Sequence, residues 1–72
     1  MIETVDARGL SCPQPVLDTL AKIVAMGSGK IEVLLDTEAS KENVARAAQS
    51  KGWRVESVEE DNGEYRLMLA GD

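Results

Sequence analysis

The stretch that most constrains this chain of 72 residues is the run at residues 30–36. Ile31, Val33, Leu34 and Leu35 sit there with only Glu32 between them, a nearly continuous apolar run of strand length. Such a run belongs in the middle of a sheet with helices packed on it, since half-exposed strands alternate polar and apolar residues. The chain has few other means of holding itself together. It has one Cys and no His, which excludes an intramolecular disulfide and leaves no plausible zinc site. With no Phe, one Trp and one Tyr, the core must be built from Val, Leu, Ile, Ala and Met. Ordering a chain costs roughly 1.5 kcal/mol per residue, so a single domain over residues 1–72 must bury these side chains efficiently.

The elements around that strand follow from local signals. Residues 2–6 read as a short first strand, and Asp6-Ala7-Arg8-Gly9 as the loop that leaves it. From Pro13 onward, Val16, Leu17, Leu20, Ile23 and Val24 recur at helical spacing and predict one apolar helix face. Asp18 and Lys22 lie four apart and predict an ion pair along that helix, and Gly27 is the expected stop. A second helix is expected over residues 41–51, with Ser40 as N-cap, or with Thr37 capping a longer one. Val44, Ala47 and Ala48 give it a thin apolar stripe, and Gly52 ends it. Residues 53–59 and 64–70 predict two strands joined through Glu60-Asp61-Asn62-Gly63, because Asn-Gly between alternating segments is the strongest short hairpin signal. Trp53 is expected to close the apolar layer. The fold class is therefore α/β, an α+β two-layer sandwich of order β-α-β-α-β-β. Its four-stranded mixed sheet is covered on one face by two helices, since right-handed crossovers bring both to the same side.

The only cysteine and both prolines fall in Gly9-Leu10-Ser11-Cys12-Pro13-Gln14-Pro15. Proline is tolerated in a first helical turn, where N–H groups have no intrahelical partner, so Cys12 reads as N-cap, Pro13 as N1 and Pro15 as N3. A thiol there meets the positive end of the helix dipole, which favours the nucleophilic thiolate. Arg8 adds a positive charge if the loop folds back. Gly9 serves a positive φ or a close approach to Cys12, or is an ordinary loop glycine. Free cysteines are also among the most buried residues, and spacing alone leaves a reactive and an inert thiol equally open. Without His there is no Cys–His pair, and without a second Cys no internal disulfide cycle. What one thiolate can do alone is carry a group: attack the outer sulfur of a donor persulfide, hold it as Cys12–S–SH, and pass it on.

The segment Asp6-Ala7-Arg8-Gly9-Leu10-Ser11-Cys12-Pro13-Gln14-Pro15 resembles the N-terminal signature of the TusA/SirA-like sulfur-carrier family, whose hallmark is Cys-Pro-x-Pro. The resemblance continues through the apolar helix, the central strand ending in Asp36, Gly52, and Gly63-Glu64-Tyr65, and so covers essentially the whole chain. It implies a two-layer sandwich in which Cys12 carries sulfur as a persulfide. It also implies cysteine desulfurases or other persulfide proteins as donors, and acceptors in tRNA thiolation, sulfur oxidation or cofactor assembly. Asp36-Thr37-Glu38, Glu42-Asn43-Val44 and Gly52-Trp53 depart from the tRNA-thiolation branch, which tends to show Asp-Pro, Asp-Ile-Pro and Gly-His there. Glu38-Ala39-Ser40-Lys41-Glu42-Asn43-Val44 is instead similar to the YedF-like branch linked to selenium metabolism.

The expectation is a sulfurtransferase-type carrier rather than a self-contained enzyme, acting as a monomer in transient complexes without cofactor or metal. A non-catalytic adaptor is the rival reading. The net charge of −5 argues against direct nucleic-acid or membrane binding. With neither a leader nor a run of membrane-spanning length, a cytoplasmic location is expected. Lys41, Arg46 and Lys51 are expected to share a flank of the second helix, either solvated or docked to an acidic partner.

Overall fold

The computed structural model describes residues 2–11 and 13–71. Its elements are β1 (Ile2–Asp6), α1 (Gln14–Met26), β2 (Gly29–Leu35), α2 (Glu38–Ser50), β3 (Arg54–Asp61) and β4 (Glu64–Gly71). The sheet order is β1-β2-β4-β3. β1 pairs parallel to β2, with Val5 opposite Val33. β4 runs antiparallel to both β2 and β3 and lies between them. The expected two-layer arrangement of two helices on a four-stranded mixed sheet is the one observed.

The apolar run of β2 divides between the two faces. Ile31, Val33 and Leu35 are fully buried toward the helices, beside Leu67 and Leu69 of β4. Leu34 and Glu32 are half-buried on the other face, so the run is continuous without helices on both sides. That second face is held by charge instead. Arg66 reaches Glu32 at 3.1 Å and Glu59 at 3.2 Å.

The hairpin closes on Asn62 and Gly63, at φ 54° and 81°, with Asp61 opposite Glu64. Positive φ at both central residues is the demand of a type I′ turn, which is why Asn-Gly stands there. In β3 the pairing slips between Val55 and Ser57, leaving Glu56 as the additional residue of a bulge. Val55 then lies opposite Leu69 and Val58 opposite Leu67, so residues three apart pair with the inner face of β4; Val55 packs on the core, whereas Val58 stays exposed.

The start of α1 differs from the expectation, and α2 takes the second of its two expected starts. In α1 the N-cap is Pro13, with Gln14 at N1 and Pro15 at N2, one residue later than the sequence suggested. The first helical bond runs from the Leu17 N–H to the Pro13 carbonyl at 3.1 Å. Cys12, read above as the N-cap, lies outside the described residues. In α2 the cap is Thr37, whose hydroxyl accepts the Ser40 N–H at 3.1 Å. Ser40 becomes a buried residue inside the helix. Gly27, at φ 75°, stops α1 as expected.

Val16, Leu20 and Ile23 of the expected stripe pack on the core, but the inner face of α1 is rotated away from Leu17 and Val24. Pro15, Thr19 and Ile23 are buried, whereas Leu17 is 52% and Val24 74% exposed. The expected Asp18–Lys22 pair is replaced: Asp18 accepts from Gln14 at 2.7 Å, and Lys22 reaches Glu3 of β1 at 3.3 Å. The new phase buries the Thr19 hydroxyl with no hydrogen-bond partner among the described residues. A buried hydroxyl left unpaired costs about 1–3 kcal/mol. Thr19→Val keeps the shape and removes the orphan, and is expected to stabilise the fold by about 1 kcal/mol. Thermal melting should show a rise of about 4–8 °C for each kcal/mol gained in a domain of this size.

Candidate functional site

The chain between β1 and α1 is fixed residue by residue. Ala7 is 1% exposed, and its N–H donates to the Leu34 carbonyl at 2.9 Å, which keeps the backbone on the sheet one residue beyond β1. The Leu10 N–H then returns to the Ala7 carbonyl at 3.4 Å. Gly9, between them, has φ 79°, while Arg8 is not among the positive-φ residues. Positive φ confined to the third residue is the signature of a type II turn. An added Cβ on Gly9 would touch nothing within 4 Å, so glycine is required there by backbone angle and not by space. The Gly9 N–H donates to Asp36 Oδ2 at 2.7 Å.

Arg8 is engaged on both sides. Its Nε and Nη2 donate to the two carboxylate oxygens of Asp6 at 2.9 Å and 3.0 Å, and its Nη1 reaches Glu64 at 3.3 Å. The Arg8 side-chain hydrogen bond holds the Asp6 carboxyl below the ordinary aspartate range. Asp6 and Glu64 together push the guanidinium further up. The positive charge expected to serve Cys12 is thus balanced by two carboxylates. A lowered folded-state pKa means that the clamp contributes above the ordinary aspartate pKa and is lost as pH falls through the folded value. Carboxyl NMR titration should therefore give Asp6 a midpoint below that of a free aspartate, and Arg8→Lys should raise it, because lysine cannot form the two parallel bonds.

Pro13 is exposed and Pro15 is buried at the helix start. The Gln14 N–H donates to the Ser11 carbonyl at 2.9 Å, bridging the position of Cys12 in the chain. The first turn of α1 holds no acidic side chain, so nothing there offsets the positive end of its dipole. Arg8 and Gly9 thus lie in the loop before α1, Pro13 caps the helix and Pro15 is its second residue. The three basic residues of the second helix form no row. They follow one another at five-residue intervals, about 140° of helical rotation each, which does not return to one flank. Lys41 lies half-buried with its ammonium 5.1 Å from the centre of the Tyr65 ring. Arg46 and Lys51 are exposed, and Lys51 is already the C-cap.

Three features escaped the sequence reading. Asp36 and Glu64 both reach the loop, from 27 and 56 residues away. The parallel pairing of Asp6 with Leu34, had it been assigned, would have brought Asp36 beside Gly9. The third is the outward apolar edge of α1, with Leu17 and Val24 exposed; Leu10 of the loop is also 37% exposed.

The family model described as Sulfurtransferase TusA matches residues 3–71. The chain belongs to the TusA sulfurtransferase family. Two curated relatives carry the name "putative sulfur carrier protein". The one from Methanocaldococcus jannaschii is 30% identical over 69 residues, 94% of this chain and 92% of its own. The one from Archaeoglobus fulgidus is 38% identical over 58 residues, 79% of this chain and 66% of its own. A crystal structure of a SirA-like protein from Desulfitobacterium hafniense matches with a TM-score of 0.87 at 33% identity, covering all of both chains. The match to the TusA family thus runs through both the loop and the sheet that anchors it.

Proposed function

We propose that this chain is a sulfur carrier of the TusA family that accepts sulfane sulfur on Cys12 and relays it to an acceptor protein. The observation that carries this reading is that the chain's one cysteine falls in the lead-in to α1 within a full-length match to a sulfurtransferase family. The Cys12 thiolate attacks the outer sulfur of a donor persulfide. The donor's S–S bond breaks, the donor leaves as a thiolate, and Cys12 holds the sulfur as Cys12–S–SH. The reverse attack by an acceptor thiolate unloads it. Both steps are exchanges that balance without an oxidant or a base, provided the thiol is ionised.

Donor and acceptor are proteins in this reading. A cysteine desulfurase is the first donor to test, and Arg46 and Lys51 are basic positions open to an acidic surface. No helix among the described residues is long and apolar enough to cross a membrane, in keeping with the cytoplasmic location proposed. The likeness of residues 38–44 to the selenium-linked branch supports assaying selenium beside sulfur. Alkylation of Cys12 as a function of pH tests the reading: the expected midpoint lies below that of a free thiol. Slow alkylation with a midpoint above it would favour the adaptor instead.

A further inference from the structure

We infer that Asp36 is a positioning residue for the thiol loop, acting through the single peptide group between Arg8 and Gly9. The inference rests on the carrier reading given above and goes beyond it in naming the residue that sets the loop's direction. Types I and II of a four-residue turn differ chiefly in the orientation of their central peptide. In the turn from Ala7 to Leu10 that peptide joins Arg8 to Gly9, and its N–H is the one that donates to Asp36 Oδ2 at 2.7 Å. The carboxylate therefore selects the orientation, and Gly9 at φ 79° makes it sterically possible.

The position of Asp36 makes it a rigid reference. It directly follows β2, whose Ile31, Val33 and Leu35 are fully buried, and β2 is hydrogen-bonded on both sides, to β1 and to β4. The neighbouring bond from the Ala7 N–H to the Leu34 carbonyl ties the same two chain segments together. The turn is thus referenced to the sheet core, three residues before Cys12 in the chain. Charge is not the means: an anion does nothing to favour a thiolate or a persulfide anion. The Asp36 role is that of a hydrogen-bond acceptor, and an amide oxygen in its place serves equally.

The test compares wild type, Asp36→Ala and Asp36→Asn in sulfur uptake from a cysteine desulfurase with cysteine, alongside amide exchange of Gly9 by NMR. Wild type is expected to protect the Gly9 amide. Asp36→Ala should lose that protection and load sulfur at least about tenfold more slowly, since misplacing a reacting group by an ångström costs up to about 100-fold. Asp36→Asn should restore both. An unprotected Gly9 amide in wild type, uptake by Asp36→Ala at the wild-type rate, or failure of Asp36→Asn to rescue overturns the inference. The amide measurement on wild type stands even if Asp36→Ala does not fold. Failure of the wild type itself to take up sulfur overturns the carrier reading, which separates the two.

Discussion

Gly71→Ala is expected to destabilise the fold by about 1–3 kcal/mol, although it adds one methyl group to a strand end. Gly71 lies opposite Gly29 at the end of β4, with the ring of Trp53 against its α-carbon. An added Cβ would stand 2.6 Å from Trp53 Nε1, and closer still to Cε2 and Cδ2. Real carbon contacts lie at ~3.5–4.0 Å, so the indole must move by more than about 1 Å. It has little room to do so. Trp53 is 5% exposed within the core that holds Ile31, Val44, Ala48 and Leu69, and its backbone N–H donates to the Ala48 carbonyl at 3.0 Å, which fixes its main chain against the end of α2. With the main chain held there, the ring can shift only into its packed neighbours. Urea unfolding of Gly71→Ala should show a lower midpoint at unchanged slope. A midpoint equal to wild type would mean that Trp53 does not pack on Gly71 in solution.

Cys12→Ser is expected to abolish sulfur relay while leaving stability near wild type. A serine hydroxyl has no accessible anion near neutral pH and forms no bond to sulfane sulfur under exchange conditions, so the loss should reach the uncatalysed background. The core of the described residues lies on the face shared by β2, β4 and the helices, and serine is close to cysteine in size. A relay assay with a desulfurase donor and a thiol acceptor measures the first part, and urea unfolding the second. Retained relay would locate the chemistry outside this chain's only thiol.

The fold was legible where one residue type has one physical use. Asn62-Gly63 meets a turn needing two positive φ angles, and Gly27 and Gly52 end helices at φ 75° and 84°. Legibility failed where several phases were equally good. α1 carries Pro15, Val16, Leu17, Leu20, Ala21, Ile23, Val24, Ala25 and Met26, apolar nearly all round, so its composition selects no unique inner face. The packed structure chose the face containing a threonine. At α2 both Thr37 and Ser40 are good caps, and the earlier one lengthens the helix while the Thr37 hydroxyl takes the Ser40 N–H. The candidate site divides in the same way. The Cys-Pro-Gln-Pro run marks itself in the sequence, but its supports do not. Asp36 and Glu64 are ordinary acidic residues until the strand order brings them to the loop.

On the reading proposed above, Cys12 holds sulfur between two partners. Intact mass spectrometry after incubation with a cysteine desulfurase and cysteine tests it most directly. Wild type is expected to gain one sulfur atom that a reductant removes, and Cys12→Ser to gain none. No gain in wild type with several desulfurases, or an equal gain in Cys12→Ser, would contradict it.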